Sequence, residues 1–138
     1  MSALACQEAL TSAFQADGAV KAALGNPARI YDAPVKMGAW PFAVWRRWET
    51  RNVDASGVPT HEHLATLEVA SKQTGATEAR AAVAALAGRA NETIPSAIGA
   101  KIILVLPIYT DVLRSADGRS WLGIIRLKII AEPNQNQT

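Results

Sequence analysis

Lys101-Ile102-Ile103-Leu104-Val105-Leu106-Pro107-Ile108-Tyr109-Thr110-Asp111-Val112-Leu113-Arg114 and Trp121-Leu122-Gly123-Ile124-Ile125-Arg126-Leu127-Lys128-Ile129-Ile130 read as two apolar strands. Asp117-Gly118 lies between them, and these residue types tolerate the positive φ that a tight reversal demands. The stretch Lys101 to Glu132 is therefore expected to fold as one antiparallel hairpin. Side chains alternate faces along a strand, so the even residues Ile102, Leu104, Leu106, Ile108 and Val112 are expected to form one core-facing row. In the second arm Ile125, Leu127 and Ile129 share one face while Arg126 and Lys128 share the other, the pattern of a strand with one solvated side.

The preceding chain reads as packing onto this hairpin. Ala3 to Gln15 has helical spacing, with Leu4, Leu10, Ala13 and Phe14 on one face and Cys6 beside them. Asp17-Gly18 interrupts it. Ala19 to Leu24 makes a short second turn of helix that Asp17 can cap and that Gly25-Asn26-Pro27 ends. A brief extended piece, Arg29 to Asp32, leads into a loop holding Pro34, Gly38 and Pro41. Phe42 to Val53 and Thr60 to Ala70 read as a second hairpin, turning through Asp54 to Pro59. His63, Ala65, Leu67 and Val69 fall on its drier side. Thr74 to Ala90 is the clearest helix, with Gly75 in the N-cap position, Glu78 in the first turn and Ala79, Val83, Leu86 and Ala90 on one face. Small residues on that face let the helix lie close against a sheet.

These elements define an α+β class: an antiparallel sheet of about four main strands in two hairpins, packed by an N-terminal helix and an Ala-rich helix. The 138 residues suit one domain, with 133–138 as a frayed polar tail. The apolar fraction of 49% and charged fraction of 19% are ordinary for a folded soluble chain and argue against disorder. The single cysteine, Cys6, leaves no disulfide within the chain and points to a reducing cytosol. No basic region followed by an apolar block opens the sequence, so no secretory signal is expected. The apolar run Ile102 to Tyr109 is less than half of the roughly 18 residues that a membrane-spanning helix needs. A net charge of +2 is too mild to imply a nucleic-acid-binding protein.

Taken in order, the chain resembles the tail-completion or tail-terminator family of tailed phages, prophages and gene transfer agents. Four stretches carry the resemblance: the Ala9-Leu10 helix with the turn from Asp17 to Leu24; Arg29-Ile30-Tyr31-Asp32 followed by Trp40-Pro41-Phe42-Ala43-Val44; the strand His61 to Ser71 running into the Ala-rich helix; and Asp117-Gly118-Arg119-Ser120-Trp121-Leu122-Gly123-Ile124-Ile125-Arg126-Leu127. The sequence departs from the family's usual pattern at Phe42, where Tyr is common, and in Glu68-Val69-Ala70-Ser71, where the family often has a Trp near the strand's end. The resemblance implies a structural protein that is not an enzyme and holds no cofactor. It implies a homo-oligomeric ring, commonly hexameric, on the head-proximal end of the tail tube of a virion or phage-like particle made in a bacterial cytoplasm. Such a ring stops tube growth and joins a head-completion protein, and double-stranded DNA passes through its bore without sequence-specific binding. Its implied partners are itself, the tail-tube protein and the head-completion protein, with no membrane. Trp45, Arg47, Arg51, Arg126 and Lys128 are the candidate subunit or tube interface, because Trp and Arg are enriched where proteins meet.

Other chemistry is thinner. His61 and His63 share one strand face and can supply two metal ligands, but a carboxylate such as Glu68 or Glu49 must complete the shell, and no metal site is assigned. Acid-base work by these histidines with Asp111 or Glu62 requires a pocket. There is no Gly-x-Ser-x-Gly and no Gly-x-Gly, and Cys6 on an apolar helix face reads as an inert thiol. Arg46, Arg47 and Arg51 interleave with Trp45 and Trp48, yet alternation divides them between two faces, so they form no single stripe for stacking on nucleic acid. The rival reading is a small cytosolic enzyme or ligand-binding domain, with a pocket between the Ala-rich helix and the sheet and His61, His63 or Trp48 at its mouth. One mutation tests the deciding turn: Gly118→Val is expected to cost about 1–3 kcal/mol through backbone strain. An unchanged melting temperature contradicts the turn.

Overall fold

The computed structural model describes residues 2–33, 38–54, 57–72 and 75–133. Among them the elements run α1 (Ser2–Ala16), α2 (Gly18–Leu24), β1 (Ile30–Tyr31), β2 (Phe42–Asn52), β3 (His61–Ser71), α3 (Thr77–Ala90), β4 (Ala100–Arg114) and β5 (Trp121–Pro133). Pro34, the hairpin tip at Ala55-Ser56, Thr74 and the tail after Pro133 lie outside the described residues.

The strands form one sheet in the order β1-β2-β3-β5-β4. Its four long members pair antiparallel, and both hairpins form where the sequence places them. The sheet is nonetheless mixed: Ile30-Tyr31 adds a fifth strand, parallel to Ala43-Val44. The Ala43 amide fixes this edge by donating to the Arg29 carbonyl at 2.8 Å. The short turn after Asp17 is a helix in its own right. Asp17 caps it as expected, accepting from the Val20 amide at 3.1 Å.

All three helices lie on one face of the sheet. Ile125, Leu127 and Ile129 of β5 and Ala65, Leu67 and Val69 of β3 fill the core beneath them, each nearly or wholly buried. A fully buried aliphatic side chain of this size stabilises by about 1.5–3 kcal/mol, so these two rows anchor the sheet. On α1 the buried positions are Ser2, Cys6, Ala9, Leu10 and Phe14. Leu4, expected on the core face, is 62% exposed, because the buried stripe passes through Cys6 and Ser2 instead. At the start of α3 the residue before the helix is Ala76, not Gly75, and it makes no side-chain cap. Glu78 is held by Ser71, whose hydroxyl donates to it at 2.6 Å, tying the first turn of α3 to the end of β3. Gly118 has φ of 72°, the left-handed conformation that the turn requires.

The expected row on β4 is corrected by two bulges. Ile102 pairs with Ala131, but Leu104 pairs with Ile130, leaving Ile103 unpaired; likewise Pro107 pairs with Leu127 and Tyr109 with Arg126, leaving Ile108 unpaired. Each extra residue reverses which parity faces inward. The inward set is therefore Ile102, Val105, Pro107, Thr110 and Val112, opposite Ala131, Ile129, Leu127, Ile125 and Gly123. Leu104, Leu106 and Tyr109 go to the outer face, and Leu106, Ile108 and Tyr109 are 39%, 51% and 44% exposed.

α3 packs on β5 and β4 through Ala79, Ala82, Val83 and Leu86. The contact is tight enough to require glycine beneath it: a Cβ at Gly123 collides with Val83 Cγ2 and lies 3.4 Å from Val69 Cβ. Gly123→Ala is expected to destabilise by about 1–3 kcal/mol through overpacking. Because Val83 is the obstacle, Gly123→Ala combined with Val83→Ala loses less than the sum of the two single changes in a denaturation double-mutant cycle. Strict additivity contradicts this packing.

Candidate assembly surface

With the helices on one face, no described element packs on the other face of the sheet. Register across β2, β3, β5 and β4 sets its rows: Arg51, Glu62, Ile130 and Leu104; Glu49, Leu64, Lys128 and Leu106; Arg47, Thr66, Arg126 and Tyr109. The β2–β3 side of this face carries charges and the β4–β5 side is largely apolar. Ile103 and Leu113 add exposed apolar area along β4, at 42% and 39%. Contiguous exposed apolar surface rimmed by charge is the usual mark of a protein interaction site.

Of the candidate interface residues, Arg47, Arg51, Arg126 and Lys128 are brought together on this face. Arg51 Nε and Lys128 Nζ converge on the two carboxylate oxygens of Glu62, at 2.7 Å and 3.5 Å, which leaves Glu62 only 8% exposed. Arg47 pairs with Glu49. The Arg126 guanidinium instead lies 5.0 Å from the Tyr109 ring centroid. The exposed Arg47–Glu49 pair contributes little to stability, about 0–1 kcal/mol, whereas Glu62 is buried and is held by its two cations. Trp45 lies on the opposite side. A bulge at Arg46 follows it in β2, and Trp45 points into the core, where Nε1 donates to Thr11 Oγ1 at 2.9 Å and the ring meets Phe14 and Trp48. The same bulge separates the tryptophans from the arginines, so the two residue types do not form a stacking groove.

The histidines form a polar cluster at one end of the core. Trp48 Nε1, which can only donate, reaches His63 Nδ1 at 3.1 Å, and Thr50 Oγ1 donates to the same nitrogen at 2.9 Å. The His63 proton is thereby assigned to Nε2, which donates to Ser2 Oγ at 3.0 Å; the Ser2 hydroxyl donates in turn to His61 Nδ1 at 2.6 Å. Ser2 is 2% exposed and His63 fully buried, so this chain of bonds fastens the start of α1 to β3. The carboxylates proposed to join the histidines, Glu49, Glu62, Glu68 and Asp111, all lie on the outer face in the strand register. Among the described residues no group of three metal-ligating side chains forms. The Cys6 thiol is buried, and burial pushes its pKa up to about 11, which disfavours the reactive thiolate. The Ser2–His63 bond spans 61 residues and left no local signal in the sequence.

The profile of the family described as "Tail completion protein gp17" matches residues 8–132. The chain belongs to this family. No curated protein matches it. Among solved structures, a chain from "Virion of native gene transfer agent (GTA) particle" shares the fold, with a TM-score of 0.84 at 18% identity over 94% of this chain and 96% of that one.

In this tail-completion fold three of the four stretches that carried the resemblance are neighbours in the sheet, β1 beside the start of β2, then β3, then β5, and the fourth forms α1 and α2. Among the described residues no helix is long and apolar enough to cross a membrane. The histidine cluster gives the fold a pH dependence. Burial, with a smaller contribution from His61, lowers the His63 pKa from 6.5 to about 4. On acidification the unfolded chain takes up this proton first, so stability falls as pH drops from 6.5 towards 4 and the effect saturates below that. A shift of this size corresponds to at most about 3 kcal/mol. Urea unfolding at pH 7 and pH 4.5 is expected to show the loss, and His63→Gln is expected to flatten it. An equal slope in the variant contradicts the assignment.

Proposed function

We propose that this chain is the subunit of a ring, hexameric by family resemblance, that caps the head-proximal end of a tail tube in a phage-like particle. The ring stops tube growth and presents a surface to a head-completion protein, and its bore passes double-stranded DNA without reading it. The family match over residues 8–132 carries the reading. The likeness to a chain of a gene transfer agent virion supports placing it in such a particle.

The structure supplies what a structural subunit needs. One face of the sheet is sealed by helices whose contact with β5 is too tight for a Cβ at Gly123, so the space between α3 and the sheet is filled by side chains rather than open as a ligand pocket. The other face is free to meet proteins. A ring demands that different patches of each copy meet, with a rotation that closes. The buried polar cluster at His63 is occupied by its own hydrogen bonds and serves the fold.

Deleting the gene in a particle-producing host tests this function. Electron microscopy is expected to show tails of uncontrolled length detached from heads, with normal particles restored by the gene in trans. Normal particles from the deletion strain overturn the proposal.

A further inference from the structure

Two apolar features of the surface lie on opposite layers of the subunit and differ in shape. On the helical layer, Ile98 in the segment between α3 and β4 is 96% exposed. It stands beside α1 at the rim of a hollow that Glu8, Ala9 and Ser12 also line. Glu8 makes no ion pair with any described residue. Leu4, one turn before Glu8 on α1, is 62% exposed and extends the same patch. This is a protruding apolar side chain accompanied by a carboxylate.

On the outer face of the sheet the relief is reversed. A hollow of about 190 Å³ is lined by Arg47, Glu49, Leu64, Thr66, Ile108 and Arg126. Arg47 and Glu49 neutralise each other, while Arg126 has an aromatic ring rather than a carboxylate for company. The hollow therefore offers aliphatic walls and one cation whose charge is not balanced by a described acid.

We infer that copies of this chain join through these two patches, Ile98 of one subunit seating in the hollow between Ile108 and Leu64 of the next, with Glu8 facing Arg126. The inference rests on the ring reading above and names its contact. Size and charge both match: an isolated aliphatic knob meets a small hole with aliphatic walls, and a carboxylate with no ion-pair partner among the described residues meets a guanidinium with none among them. The patches are different and lie on opposite layers, so the contact is heterologous and repeats from copy to copy, the arrangement that builds a ring when the rotation closes. A central apolar anchor with a charge pair at its side also fits the usual anatomy of protein interfaces.

Sedimentation velocity on the purified chain over a concentration series tests it, with Glu8→Arg, Arg126→Glu and the two combined. Each single reversal is expected to weaken self-association by roughly tenfold or more, and the combination to restore it. Both positions are exposed, and circular dichroism verifies that the variants fold. In parallel, Ile98→Cys mixed with Ile108→Cys is expected to give a disulfide-linked pair under mild oxidation, with neither variant linking to itself; the buried Cys6 does not compete. If the wild type assembles while the reversals and cross-links have no effect, copies meet elsewhere and this contact is overturned, with the ring reading left standing. If the chain stays monomeric at every concentration and no cross-link traps a pair, both fall.

Discussion

Two unpaired residues in one edge strand, Ile103 and Ile108, decide which side of this protein is inside. Side-chain direction in a strand is binary, so an inserted residue sends everything after it to the other face until a second insertion reverses it. Between the two bulges, Val105 and Pro107 turn inward and Leu106 turns out. With strict alternation, Leu104, Leu106 and Ile108 would continue the core row begun at Ile102. The bulges instead divide the aliphatic residues of β4 between a closed core and an open surface. A subunit of an assembly needs both.

The helical side shows the opposite economy of space. Alanines on α3, Gly123 on β5 and small residues on β3 let helix and sheet meet without room for a ligand, and large side chains concentrate where α1 crosses the sheet at Phe14, Leu10 and Trp45. Polar groups trapped there are matched. Ser2, His63 and Trp45 find donors or acceptors there, half-buried Trp48 and exposed Thr50 reach in to His63 from β2, and no described buried side-chain nitrogen or oxygen is left unpaired. The chemistry of this layer is spent on cohesion, and among the described residues the outer face of the sheet and the protruding Ile98 present exposed apolar surface.

Much of this was legible in the residues themselves. The period-two rows of β3 and β5, the small face of α3, the Asp17 cap and the Asp117-Gly118 turn are local signals, and each appears where its residues place it. The bulges are different, because β4 has a neighbour on one side only; Pro107 beside the second bulge marks an edge strand, but nothing in the aliphatic run Ile102 to Leu106 marks the first extra residue. The bulge at Arg46 concealed the inward turn of Trp45 in the same way, so the candidate interface mixed one core residue with four surface ones. The parallel pairing of Ile30-Tyr31 and the bond from Ser2 to His63 depend on contacts between distant parts of the chain, which no window of sequence contains. Family resemblance supplied what pattern alone does not: a reason for an α+β domain to keep an apolar sheet face uncovered.

The most direct test is thiol accessibility along β4 in the dispersed subunit. Val105→Cys and Leu106→Cys differ by one position and by the face of the sheet, and the native Cys6 is buried. The bulged register predicts fast labelling at position 106 and protection at 105 until the protein unfolds. Protection at 106 with fast labelling at 105 would place the aliphatic row back in the core and remove the surface on which the assembly reading depends.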